Sequence, residues 1–127
     1  MSVIANQVQS ILSELFPANP YKRVFVEHYV NYKGQRLFFD FFITELSVFI
    51  EIQGAQHKKF IKHFHGTAEA FYNQKFRDNL KIQYVQENGF CLARFYDTED
   101  ITSTLVYDKI NKAMEDISLP PEQNSEL

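Results

Sequence analysis

Two acidic residues interrupt strongly apolar stretches in the first half of the chain. Asp40 is the only residue in Leu37–Ile43 that is not apolar, and Glu51 holds the same place in Val48–Ile52. A carboxylate among apolar neighbours is costly to bury unless it meets a metal ion, a cation or water. Gln53 lies two residues after Glu51, so the alternation of a strand places both side chains on one face.

The chemistry of this pair depends on whether the two stretches form adjacent strands. If they pair, Asp40 and Glu51 meet on one face of the sheet. Two close carboxylates repel each other unless a divalent cation or a proton lies between them. Magnesium and manganese ions prefer oxygen ligands, polarise phosphoryl oxygens and lower the pKa of bound water. The pair therefore predicts a metal site suited to phosphodiester hydrolysis. Taken alone, Asp40 fits equally a sheet-edge acid or a buried acid paired with arginine.

Hydrophobic periodicity predicts the elements that must position these residues. Apolar residues at helical spacing indicate a first helix over about residues 3–16. Runs rich in Val, Ile, Phe and Tyr then indicate three strands in a meander, at 23–30, 36–44 and 48–53. A recurrence every four residues from Ala68 to Tyr84 indicates a long helix that ends at Asn88–Gly89.

A fourth strand and a final helix complete the predicted order. The strand covers 90–96, and Asp97 or Thr98 is expected to cap the helix that follows. The order helix, three strands, helix, strand, helix predicts an α/β fold with a mixed four-stranded sheet flanked by helices. We expect one domain over residues 1–119 and a flexible acidic tail over 120–127.

Composition limits the classes of protein to which the chain can belong. At 127 residues and 45% hydrophobic content, the chain can bury one core. Its only cysteine, Cys91, has no partner for a disulfide or a cysteine-based zinc site. The sequence has neither a run of about 18 apolar residues nor a basic signal-like N-terminus, so a cytoplasmic protein is expected.

The net charge of -3 does not exclude a nucleic-acid partner, because the charges are unevenly distributed. Residues 1–94 contain eleven Lys and Arg against eight Asp and Glu, whereas residues 95–127 contain two against eight. A basic flank that contacts DNA phosphates is expected from five cations, and a solvated helix face is the alternative interpretation. These cations are Lys58, Lys59, Lys62, Arg77 and Lys81.

Two smaller groups of residues have competing interpretations. Asp78 and Lys81 lie three residues apart, so they share a helix face and form either an intrahelical ion pair or a phosphate contact. His63 and His65 could bind zinc, but a solvated or DNA-facing loop is the simpler interpretation because no cysteine lies nearby.

The acidic residues also resemble a known nuclease signature. Phe39–Asp40, ten further residues and Glu51–Gln53 are similar to the PD-(D/E)xK pattern, whose Asp and Glu hold metal and whose last position is usually Lys. The continuation through His57, with Arg77–Lys81 and the strand Phe90–Phe95, resembles the branch related to the very-short-patch repair endonuclease. That branch includes phage and homing endonucleases.

The resemblance covers about residues 24–96 and implies a restriction-endonuclease-like fold, metal dependence and DNA cleavage. Asp40 and Glu51 would hold Mg²⁺, or Mn²⁺ in its place, and Gln53 would position the attacking water. His57 would act as a general base or stabilise the leaving group, unless it is a hydrogen-bonded structural residue.

Two departures from the family pattern affect this interpretation. Gln53 stands where Lys is usual, so the cation of that position is missing. Many relatives carry a Glu near the start of the first helix, where this chain has Gln7, and Glu14 or Glu27 is a possible substitute.

The sequence therefore predicts a Mg²⁺-dependent DNA endonuclease, which would need a homodimer to cut both strands together. A nucleic-acid-binding module that does not cut and a branched-DNA resolvase or ribonuclease are the alternatives.

Overall fold

The computed structural model describes residues 2–54 and 66–117. In these ranges the chain forms α1 (Val3–Leu15), β1 (Val24–Tyr32), β2 (Gln35–Ile43), β3 (Val48–Gln53), α2 (Ala68–Glu87), β4 (Cys91–Tyr96) and α3 (Ser103–Ile117). This order confirms the predicted α/β fold. His57, Lys58, Lys59, Lys62, His63, His65 and the tail over 120–127 lie outside the described residues.

The four strands form one mixed sheet in the order β1-β2-β3-β4. The first three strands are antiparallel neighbours, and β4 is parallel to β3 with Glu51 opposite Arg94. A parallel neighbour requires a crossover between the two strands, and α2 lies within the connection from β3 to β4. Because parallel strands end at the same edge, the residues after β3 and β4 meet there.

Short polar side chains begin the first two helices. Ser2 Oγ accepts a hydrogen bond of 3.1 Å from the Ala5 backbone N–H, and Thr67 Oγ1 accepts one of 3.1 Å from Ala70. Each bond satisfies a donor that the first turn of a helix leaves free. Gly89 follows α2 with a φ of 69°, as expected from the Asn88–Gly89 stop signal.

Two hydrophobic clusters cover the two faces of the sheet. Helices α1 and α3 pack on one face, where their buried residues include Leu12 and Val106 and meet Phe41 and Ile50. Helix α2 packs on the other face, where Leu80 meets Leu37, Phe39 and Phe49 in the second cluster. The sheet therefore lies in the middle layer. Of the described helices, α1 and α3 cover one face of the sheet and α2 covers the other.

The regular alternation of β2 breaks at Asp40. Phe39 belongs to the cluster under α2, whereas Phe41 belongs to the cluster under α1 and α3, and both are fully buried. Residues two apart in a regular strand share a face, so β2 changes faces between these two phenylalanines. Asp40 is the residue at which the change occurs.

The neighbouring strand breaks at the same level. Val26 pairs with Phe41 and His28 with Phe39, which leaves Glu27 directly across from Asp40. Glu27 has a φ of 56°, a left-handed conformation that residues other than glycine seldom adopt. Such conformations persist where the surrounding structure enforces them and are concentrated at functional sites.

The prediction that Asp97 or Thr98 caps the last helix is wrong. Helix α3 begins at Ser103, and Thr102 Oγ1 accepts a hydrogen bond of 3.1 Å from the Leu105 backbone N–H. Glu99 accepts a hydrogen bond of 2.7 Å from the Tyr96 backbone N–H, which holds the intervening turn against the end of β4. The helix therefore starts later than the first available capping residue.

The four-residue recurrence in α2 predicts the helix correctly, but only part of the stripe is buried. Leu80 and Tyr84 pack in the second cluster, whereas Tyr72 is 68% and Phe76 55% exposed. A repeat of four residues drifts by about 40° per step around a helix of 3.6 residues per turn. None of the helices in the described part of the chain is long and apolar enough to cross a membrane.

Candidate active site

Asp40 lies where β2 and β3 separate. Phe41 and Ile50 form the last cross-strand pair of these strands, so Asp40 and Glu51 stand opposite each other just beyond the paired region. Asp40 Oδ2 accepts a hydrogen bond of 2.8 Å from the Ile52 backbone N–H. The carboxylate of β2 therefore bridges the gap to β3 and satisfies a donor that the strand pairing has released.

Glu51 is buried on the α2 side of the sheet and is only 3% exposed. Its Oε2 accepts a hydrogen bond of 2.9 Å from Lys81 Nζ on α2. Its Oε1 has no hydrogen-bond partner among the residues that the structure describes. A buried carboxylate oxygen without a partner is energetically costly, and a cation would remove that cost.

Burial raises the pKa of Glu51 from 4.5 to about 7. The nearby Lys81 ammonium opposes this rise, while the negative charges of Asp40 and Asp78 add to it. Glu51 is therefore poised to change its protonation near neutral pH. The contribution of Asp40 also shows that the two acids of the sequence pattern lie within electrostatic range of each other.

Lys81 and Arg77 lie in different environments on α2. The Lys81 side chain is only 12% exposed, and its ammonium lies 5.5 Å from the centroid of the Phe39 ring as well as beside Glu51. Arg77 is exposed. The structure thus places Lys81 inside the candidate site and Arg77 on the surface. Asp78 is buried, and it acts on the pKa of Glu51.

Gln53 ends β3 and is only 6% exposed. Its backbone carbonyl accepts a hydrogen bond of 3.2 Å from the Asp97 N–H, which ties the ends of the two parallel strands together. The neutral amide offers one acceptor oxygen and two N–H donors. It can orient water but supplies no charge.

A cleft of about 390 Å³ opens beside Asp40. Its walls include Glu27, Gln53 and Asp97, together with residues 2–5 at the start of α1. Among the described residues, Glu51 does not line this cleft, because its side chain extends toward Lys81 on the other side of the sheet. The cleft therefore presents three acidic residues, Glu27, Asp40 and Asp97, on the side of the sheet that carries α1.

The cleft favours one of the two acids named as substitutes for the first-helix Glu of the nuclease pattern that the sequence resembles. Glu27 lines the cleft across from Asp40. Glu14 lies in the last turn of α1, whereas the first turn of that helix lines the cleft. Glu27 is therefore better placed than Glu14 to act as the substitute. The positive φ of Glu27 carries no sequence signature, since glycine is the residue expected in that conformation.

The residues present are compatible with magnesium but not with a closed metal cage. The described part of the chain contains no group of three or more His, Cys, Asp or Glu side chains arranged to hold a metal ion. Magnesium commonly binds through one or two carboxylates and keeps its other positions for water and phosphate. Asp40 offers one such carboxylate in the cleft, and Glu51 stands across the gap between β2 and β3 on the α2 side, with an Oε1 that has no partner among the described residues.

Two residues of this region were not expected from the sequence in the places they occupy. Lys81, for which the sequence offered a pair with Asp78 or a phosphate contact, pairs with Glu51, and Asp97, which was expected to cap a helix, lines the cleft. Asp97 carried a usable signal, because an acid directly after a strand parallel to β3 must lie at the same edge as Gln53.

No protein-family model matches the chain, and no solved structure shows significant similarity to it. The chain is 42% identical over 72 residues to "Uncharacterized protein 307L" of Invertebrate iridescent virus 6, an alignment that covers 56% of this chain and 36% of that protein. It is 39% identical over 59 residues to "Uncharacterized protein 033L" of Invertebrate iridescent virus 3, which covers 46% and 30% respectively. The chain thus spans about a third of the length of these relatives.

Proposed function

We propose that this chain is a magnesium-dependent endonuclease that hydrolyses phosphodiester bonds in DNA. The observation that carries the proposal is the position of Asp40 and Glu51 across the point where β2 and β3 separate, with one oxygen of the buried Glu51 left without a partner in residues 2–54 and 66–117. A buried carboxylate in that state costs stability, so a functional reason for keeping it is needed.

In this proposal Asp40 and Glu51 hold the ion, which would polarise the phosphoryl oxygen and activate water. Gln53 orients the water through its amide. Lys81, already bound to Glu51, brings a positive charge to the site on α2, a charge that Gln53 does not provide. His57, as a general base, stays part of the proposal from the sequence resemblance.

The exposed cation of α2, Arg77, supports a contact with DNA outside the site. Phosphate contacts of this kind give affinity without sequence preference. Lys58, Lys59 and Lys62 remain expected members of the same basic flank.

Cleavage assays on several DNA forms test the proposal. Supercoiled plasmid, single-stranded DNA and a four-way junction are incubated with Mg²⁺ or Mn²⁺ and either the native chain, Asp40→Asn or Glu51→Gln. The matched control is Asp116→Asn, because Asp116 is an exposed acid that pairs with Lys112 on α3. We expect metal-dependent cutting by the native chain and the control, and a loss of roughly a hundredfold or more in both site variants.

One feature of the site favours a second function, a nucleic-acid-binding module that does not cut. The Lys81–Glu51 ion pair already neutralises the buried acid without metal, and Gln53 is uncharged. DNA binding by all four proteins without cutting of any substrate would establish this function. Cutting of RNA or of the junction alone would instead identify a ribonuclease or a resolvase. The products from plasmid show whether the protein nicks or, as a homodimer, cuts both strands.

A further inference from the structure

Beyond the paired part of β2 and β3, the β1–β2 hairpin carries an exposed tyrosine, a half-buried phenylalanine and an exposed cation. Tyr29 and Phe38 are cross-strand partners whose ring centroids lie 5.0 Å apart. The Arg36 guanidinium carbon lies 4.2 Å from the centroid of the Tyr29 ring, so it stacks on that ring. We refer to Tyr29, Arg36 and Phe38 as the hairpin platform.

The hairpin platform faces the same side as the cleft. Val30 and Leu37 pack in the cluster under α2, so their neighbours Tyr29, Arg36 and Phe38 point to the opposite side. That side carries α1, whose first turn lines the cleft beside Asp40. Phe38 precedes Asp40 by two residues, a distance of about 7 Å along the strand. A polymer that lies in the cleft would therefore continue directly onto the hairpin platform.

The hairpin platform is accessible, and its cation is available for a ligand. Tyr29 is 50% exposed and Arg36 is exposed, whereas Phe38 is half-buried. Arg23 and Lys33, at the two ends of β1, pair with Glu45 and Glu87 respectively. Arg36 has no acidic partner in residues 2–54 or 66–117, so its charge is free to meet a phosphate.

Aromatic rings beside a guanidinium are the chemistry that recognises unpaired nucleobases. Base faces inside a duplex are already stacked, so a platform of this type selects single strands or unpaired regions. We propose that the hairpin platform binds the unpaired bases of a DNA strand whose backbone lies in the cleft at Asp40. The proposed substrate is thus single-stranded or locally unpaired DNA, an inference that rests on the proposed function for its link to cleavage.

The test measures binding without metal, so that it does not depend on cleavage. Fluorescence anisotropy of a labelled thymidylate oligonucleotide and of a labelled duplex is followed in EDTA with the native chain, Tyr29→Leu, Tyr29→Phe and Arg36→Gln. The matched control is Tyr107→Leu, because Tyr107 is a 59% exposed tyrosine on α3. Melting curves establish that every variant is folded.

We expect the native chain to bind the single strand more tightly than the duplex. Tyr29→Leu should weaken single-strand binding by roughly tenfold or more, because base stacking on one ring is lost, while Tyr29→Phe keeps the ring and the affinity. Arg36→Gln should weaken binding and reduce its dependence on salt by about one ion. Tyr107→Leu should bind as the native chain does.

Three results would overturn the inference: equal binding by Tyr29→Leu and the native chain, equal binding of duplex and single strand, or no DNA binding by the native chain. A separate result distinguishes it from the proposed function. If Asp40→Asn and the native chain both bind the single strand in a Tyr29-dependent way and neither protein cuts it, the hairpin platform stands and the nuclease proposal fails.

Discussion

The ammonium of Lys81 lies 2.9 Å from Oε2 of Glu51, and both side chains are almost completely buried. The two residues are thirty positions apart, on α2 and on β3, so their contact joins the helix to the face of the sheet that it covers. A buried ion pair loses the hydration of both charges and gains their mutual attraction. Its most reliable consequence is that neither partner can be removed without leaving the other charge buried.

Removal of the cation should therefore destabilise the fold. Lys81→Met leaves Glu51 buried without its cation, and the loss should be on the order of 3 kcal/mol at pH 8.5, where Glu51 is ionised. The loss should be smaller at pH 5.5, because Glu51 is then largely protonated. Urea unfolding at the two pH values measures both losses of stability. Lys112→Met is the control, since Lys112 is exposed and its pair with Asp116 should contribute less than about 0.5 kcal/mol.

Stability should also depend on pH through Glu51. The pKa of Glu51 is raised from 4.5 to about 7 in the fold, mainly by burial, so between these values the folded state holds a proton that the unfolded state has lost. Folding stability therefore falls as pH rises through this window and levels off above pH 7. Relative to Glu51→Gln, the native chain should lose on the order of 3 kcal/mol from pH 4.5 to pH 7.

The comparison with Glu51→Gln removes the effects of other titrating groups, because both proteins carry them. Urea unfolding at half-unit pH intervals gives the difference curve. A difference that is flat across the window would show that the pKa of Glu51 is not raised in the folded protein.

Magnesium should stabilise the native chain by binding to the folded state. At a hundredfold excess over Kd, a ligand that binds only the folded state raises the free energy of unfolding by about 2.7 kcal/mol. Thermal melts with and without Mg²⁺ should show this rise for the native chain and for Asp116→Asn. Asp40→Asn and Glu51→Gln should show none, and an equal rise in all four proteins would place magnesium elsewhere.

The stability of the protein should depend strongly on the central ring of the aromatic cluster under α2. Phe49 is 1% exposed, and its ring centroid lies 4.2 Å from that of Phe39 and 4.4 Å from that of Phe42. Phe49→Ala should cost about 3–5 kcal/mol, because the cavity has several large neighbours that cannot all collapse into it. Chemical unfolding measures the loss. Tyr72→Ala on the exposed part of α2 should change stability by no more than about 0.5 kcal/mol beyond helix propensity.

The helices and strands could be predicted from the sequence because their signals are local. The apolar spacing of α1, the meander of β-rich runs and the Asn88–Gly89 stop of α2 each lie within a few residues of the structure they specify. Asp40 and Glu51 could be identified in the same way, as the single exceptions in two apolar strands. Their opposition follows from the short turn between the strands, which sets the register.

Only the tertiary structure decided which other groups surround these two acids. The attachment of Lys81 to Glu51 depends on how α2 docks on the sheet, and the place of Asp97 depends on the register between β3 and β4. The position of Glu27 across from Asp40 depends on a left-handed residue that no local preference predicts. Local sequence fixes periodicity over a few residues, whereas the energies that choose between dockings come from contacts between residues that are far apart in the chain.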